Sequence, residues 1–179
     1  VSTGWNLNDD VFDTAETWAA RETPEDKPLN YEHKCNDIIG HIVACSPVTE
    51  DYVVIEEKNK DGVVTAVEDL PSRFHILTSS VLYKIWADEK LQERMDKIIA
   101  EIPQHKWFVS MEALFANFDY ALITPEGKQI VVARNKETAF LTKHLRAYGG
   151  TGIYNGHKVG RLIRNFTFSG KGLVLKPAN

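Results

Sequence analysis

The chain has 179 residues, enough for one domain with a real core. Its formal charge of -4 argues against a nucleic-acid-binding surface as the main function, and no apolar run approaches the length of a membrane span. Hydrophobic residues at 43% and charged residues at 26% are ordinary globular usage, so composition leaves the function class open.

The polar, acidic opening VSTGWNLNDD does not read as a secretory signal. A helix is predicted next, capped by Asn8 with Asp9 and Asp10 at its positive end. Val11, Phe12, Ala15, Trp18 and Ala19 fall at helical spacing, and Phe12 and Trp18 read as anchors to the domain. Thr23-Pro24 ends the helix, and residues 22–30 read as a surface loop. The β-branched runs 38–45 and 51–57 predict strands separated by Ser46-Pro47 and Thr49-Glu50. With Asp61-Gly62 as the turn, 51–57 and 63–68 read as a hairpin. Ile76 and Leu77 suggest a short extended piece.

The longest helix is predicted from about Ser80 to Ile102, capped by Thr78, Ser79 or Ser80 and stopped by Pro103. Val81, Leu82, Ile85, Trp86, Leu91, Met95, Ile98, Ile99 and Ile102 form its apolar stripe. Strands follow at 106–112, 118–123 and 129–134, with a Pro125-Glu126-Gly127 turn before the last. A second helix is predicted from Lys136 to Tyr148, ending at Gly149-Gly150. The tail alternates enough for one or two further strands. Lys158, Arg161, Arg164, Lys171 and Lys176 in it read as a solvated basic face. No linker divides the chain. The expectation is one domain over 1–179, with residues 1–29 a helix and loop packed on it. Its class is α+β, a sheet or barrel flanked by helices.

Three segments can carry chemistry. In NYEHKCNDIIGHI (30–42), His33 lies in a polar loop before a strand, and histidine suits general-base work near neutral pH. His41, inside the strand, reads as a partly buried structural histidine. In HKWFVSMEALF (105–115), Ser110 follows an apolar run and shares a face with Glu112 if the strand continues. Such a serine needs a base to become nucleophilic. Taken alone, the ordinary reading of each is structural: a loop histidine with one backbone bond, and a strand serine bonded to the backbone. The glycine-rich AYGGTGIYNG (147–156) lacks the ending of a phosphate-binding loop and follows a helix, so it reads as a cap and turn. Its backbone N–H groups are a secondary candidate for holding an oxyanion. There is no Gly-x-Ser-x-Gly elbow and no zinc spacing. Cys35 and Cys45 read as reduced thiols. Cys35 beside His33 is discounted as a nucleophile, since such partners converge from distant segments.

Resemblance joins these segments. NYEHKCNDIIGHI resembles the His-containing segment of tailed-phage prohead maturation proteases, where a loop histidine precedes an Ile-Gly strand. WFVSMEALF resembles their nucleophile strand, and GKGLVLKPAN the Val-rich strand that runs into Pro177-Ala178-Asn179. The three stand in the family's order across residues 30–179. The resemblance implies the fold of the herpesvirus assembly protease, a small, mostly antiparallel β-barrel flanked by helices. It implies a serine endopeptidase in which His33 takes the proton from Ser110, with no cofactor and no metal. An arginine such as Arg134 or Arg146 would help backbone N–H groups to hold the oxyanion. Relatives carry an acidic third member before the last strand, but here the segment reads Phe168-Ser169-Gly170-Lys171. Asp119 is taken in its place, with Glu112 and Glu137 as further substitutes. The implied partners are phage scaffold and major capsid proteins as substrates, and a homo-oligomer of the chain itself. Neither a membrane nor a specific nucleic acid is expected. The implied place is the host cytoplasm, inside the immature head. The missing carboxylate also leaves open a silent member that keeps the fold as a structural or scaffold component of the head.

Overall fold

The computed structural model describes residues 1–58 and 60–176. In chain order it contains β1 (Gly4–Trp5), β2 (Asp10–Phe12), α1 (Thr14–Ala19), β3 (Pro28–Tyr31), β4 (Ile38–Val48) and β5 (His75–Leu82). There follow α2 (Glu89–Glu101), β6 (Phe108–Ile123), β7 (Gln129–Val132), β8 (Ile153–Tyr154) and β9 (His157–Val174). Short 3-10 turns fill parts of the connections.

β9 is the spine of the sheet. β6 runs antiparallel beside it, from Phe108 opposite Val174 to Ile123 opposite Lys158. On its other edge β9 receives two short parallel strands, β2 near Arg161 and β3 near Gly172. β4 then pairs β3, and β5 pairs β4. The path runs β1-β2-β9-β3-β4-β5, and nothing among the described residues pairs β5 with β6. The class is therefore α+β and mostly strand, but the sheet is not closed into the expected barrel. The chain after β5 forms α2 instead of a closing strand. Met95 and Ile98 of α2 cover Leu29, Ile39 and Leu173, so a helix buries the apolar face that closure would otherwise bury. Each such side chain contributes roughly 1.5–3 kcal/mol by burial.

Several local expectations change. The first helix is only Thr14–Ala19, and its cap is Asp13, which accepts from the N–H groups of Ala15 and Glu16. Asp10, Val11 and Phe12 are strand, because β9 and β1 offer them backbone partners. Phe12 and Trp18 are buried anchors, as expected. β4 runs straight through Ser46-Pro47 to Val48. Residues 51–68 make isolated bridges and no continuous hairpin ladder among the described residues.

The long helix from Ser80 is corrected. Thr78 to Leu82 pair with β4, and α2 starts after its cap Asp88, whose side chain accepts from the Leu91 N–H. Strands 106–112 and 118–123 are one strand, β6. The helix at 136–148 is two 3-10 turns, ending at Gly149 with φ 84. The basic tail is no solvated face. Arg161 pairs with Asp10, and Lys171 is buried.

Candidate active site

Strand register builds the site. Leu173 faces α2, so Gly172 faces the opposite side of the sheet, since side chains alternate. Gly172 is paired with Asn30 of β3 and with Ser110 of β6. Three strands thus bring Asn30, Gly172 and Ser110 into one row. In the next row Glu112 lies opposite Gly170, where a register shift interrupts the ladder before Ala113.

His33 reaches this surface through a tight turn. Glu32 and His33 both adopt left-handed backbone conformations, φ 52 and φ 58, which fold the chain back over β9. The Glu32 N–H donates to the Leu173 carbonyl at 3.0 Å, and the Leu175 N–H donates to Glu32 Oε1 at 2.8 Å. Arg94 of α2 clamps the other side of the loop. It donates to both oxygens of Asp37 at 2.7 Å and lies over the Tyr31 ring at 4.6 Å. The Asp37 hydrogen bonds hold the Arg94 guanidinium above the ordinary arginine value, although burial works against them.

The imidazole lands on the glycine row. A Cβ on Gly172 would come within 2.7 Å of His33 Cε1 and Nδ1, so the ring occupies the space that a side chain would fill. Ser110, directly across from Gly172, is therefore a neighbour of the ring, since paired Cβ positions lie about 4.5–5.5 Å apart. His33 Nδ1 is 2.7 Å from Glu112 Oε1. An ionised carboxylate only accepts, so the proton of that bond belongs to Nδ1 and the Nε2 lone pair is left for a proton. Asn30 Nδ2 donates to the same Glu112 oxygen at 2.8 Å. No hydrogen bond joins Ser110 Oγ to His33 among the described residues. In the absence of substrate such contacts are often loose.

The structure thus brings Ser110, His33 and Glu112 together and leaves Asp119 elsewhere. Asp119 is nine residues further along β6, roughly 30 Å away at strand rise. Its carboxylate accepts from Arg164 Nε at 2.9 Å and from the Arg134 N–H at 3.1 Å. Arg134 lies over Phe118 and Arg146 pairs with Asp9, so neither arginine attends Ser110. The N–H groups of Gly149 and Gly150 bond Arg146 and Leu145 carbonyls. Glu137 is exposed in the loop after β7. His41 meets the Tyr83 hydroxyl at 3.1 Å, and both cysteines are free thiols. Pro177-Ala178-Asn179 lie outside the described residues.

The edge of β6 beside Ser110 is open. Leu173 turns its carbonyl to β3, so Gly172 turns its carbonyl to β6 and makes a hydrogen-bonded pair with Ser110. Val109 and Met111 then point their N–H and C=O groups outward. Among the described residues, β7 covers only Tyr120 to Ile123 of that edge. Val109 and Phe108 are exposed there.

Asn30 and the two glycines were not singled out by sequence reasoning. Their roles appear only when β3, β6 and β9 are in register. Glu112 had a legible signal, its two-residue spacing from Ser110. Among the described residues, no group of three or more His, Cys, Asp or Glu is placed to hold a metal ion. No helix among them is long and apolar enough to cross a membrane. Comparison with protein-family models, with curated proteins and with solved structures finds no match to this chain.

Proposed function

We propose that the protein is a serine endopeptidase of the prohead-maturation kind, with Ser110 as nucleophile, His33 as base and Glu112 as the carboxylate behind the base. The observation that carries this is the 2.7 Å contact of Glu112 with His33 Nδ1, on a ring lying over the residue opposite Ser110. The carboxylate fixes the imidazole tautomer and supports the imidazolium that forms when Ser110 gives up its proton. Ser110 Oγ bonds to the peptide carbonyl carbon, and His33 then passes the proton to the leaving amine. Water reverses the steps to free the serine.

The open edge of β6 supports a peptide substrate over a small ester. An extended chain could add to it as a strand through Val109 and Met111, bringing its carbonyl to Ser110. Substrates among phage scaffold and capsid proteins follow from the sequence resemblance. The test is co-expression with the scaffold and major capsid proteins of its phage. Processing that stops with Ser110→Ala is expected, and processing indifferent to that change rejects the nucleophile.

A second reading is a silent protease-fold component of the head. The absence of a Ser110–His33 hydrogen bond among the described residues favours it. It requires that capsid proteins stay uncut while the chain still assembles with them.

A further inference from the structure

We propose that Asn30 is a positioning residue for the His33–Glu112 pair, its amide holding the carboxylate in the orientation that keeps the proton on His33 Nδ1. The catalytic consequence rests on the reading of Ser110, His33 and Glu112 just given.

Asn30 is 2% exposed, on a strand whose neighbours Leu29 and Tyr31 pack against the α2 core. Register places its side chain on the opposite face, level with Gly172 and Ser110. Its Nδ2 and His33 Nδ1 both point at Glu112 Oε1, at 2.8 and 2.7 Å. Two donors from different directions orient a carboxylate that one donor would leave free to swing. Glu112 is a long side chain lying across Gly170, which offers no side chain to pack against.

The other end of the amide gives the independent observation. Asn30 Oδ1 is buried and has no hydrogen-bond partner among the described residues. An orphaned buried acceptor weakens a fold, so stability alone would favour an apolar residue here. The amide is unpaired where it could only stabilise and paired where it touches the reacting set. A strand residue that breaks a local rule in this way is what a functional placement produces.

The test reads the His33 ring in the full chain by long-range 1H–15N correlation, which reports which nitrogen of the neutral imidazole holds the proton. Wild type and Ser110→Ala should hold it on Nδ1. Glu112→Ala and Asn30→Leu should both drift toward the Nε2–H form. The melting temperature of Asn30→Leu should stay near that of wild type, because removing the orphaned acceptor offsets the lost bond to Glu112. Labelling of Ser110 by a fluorophosphonate probe should slow roughly ten- to a hundredfold in Asn30→Leu, the size expected for losing a hydrogen bond to a charged group. Asn30→Ala is the second variant and should show the same drift. An Nδ1 tautomer retained in both Asn30 variants overturns the proposal. So does a drift seen only together with a lowered melting temperature or a lost fold, since the role is then structural. Wild-type chain that never labels at Ser110 sinks the protease reading instead, and the tautomer still decides on Asn30.

Discussion

The two ends of the β6–β9 ribbon treat carboxylates in opposite ways. At the far end, Asp9 meets Arg146 and Lys158, Asp10 meets Arg161, and Asp119 meets Arg164. Each of those acids faces a permanent cation and fastens one segment to another: the N-terminal strap to β9, and β6 to β9. At the near end, Glu112 meets an imidazole and a neutral amide, with no lysine or arginine ion pair among the described residues. A carboxylate opposed to arginine is spent on structure. One opposed to histidine can fix which ring nitrogen of its partner carries the proton. Identical chemistry in the sequence, Asp or Glu on a strand, thus divides into acids that fasten segments and one that faces the proposed base, by what stands across from it.

The largest expected effect comes from removing the proposed base. His33→Ala should cut fluorophosphonate labelling of Ser110 by about 10⁴–10⁶-fold, the scale on which losing a triad member acts. Gly172→Ala should come next. The added Cβ would sit 2.7 Å from the ring, and His33 is exposed enough to swing away. Labelling should fall about 100-fold for a displacement near 1 Å, while the melting temperature barely moves. A Gly172→Ala protein that labels normally would break the claim that the ring lies over β9.

Asp119→Ala should give the reverse pattern. Losing the bonds to Arg164 and the Arg134 N–H should cost about 1–3 kcal/mol in denaturant unfolding, with labelling unchanged. A labelling defect out of proportion to stability would return Asp119 to the site. The smallest effect concerns Lys171, which lies on the face opposite Ser110 and is buried with no ion pair among the described residues. Burial pushes its ammonium below the ordinary lysine value, partly offset by the nearby Cys45. Between the folded value and the ordinary one the unfolded chain binds more protons, so stability rises with pH in that window. Lys171→Met should flatten the rise and raise stability at neutral pH, read by urea unfolding at both ends of the window.

The candidate residues were more legible in the sequence than the fold that brings them together. His33 and Ser110 stood out by residue type and by resemblance, and Glu112 by sharing a strand face with Ser110. The barrel did not survive, because closure depends on whether β5 meets β6, and no local pattern encodes that. Val81 and Leu82 extend the apolar stripe of α2 in the sequence, yet pairing with β4 claims them for a strand. Asp119 sits on the next predicted strand after Ser110, but the two predicted strands are one, β6, where residues nine apart cannot meet. Asn30, Gly170 and Gly172 carry no local signal at all. They matter only through pairings across about 60 and 140 positions, which hydrophobic periodicity does not reveal.

The central claim is that Glu112 and His33 activate Ser110. The most direct measurement is mass-spectrometric mapping of fluorophosphonate adducts in the wild-type chain, His33→Ala and Glu112→Ala. The expected result is a single adduct on Ser110, nearly lost in His33→Ala and strongly slowed in Glu112→Ala. An adduct on another residue, or labelling of Ser110 that both substitutions leave untouched, would contradict it.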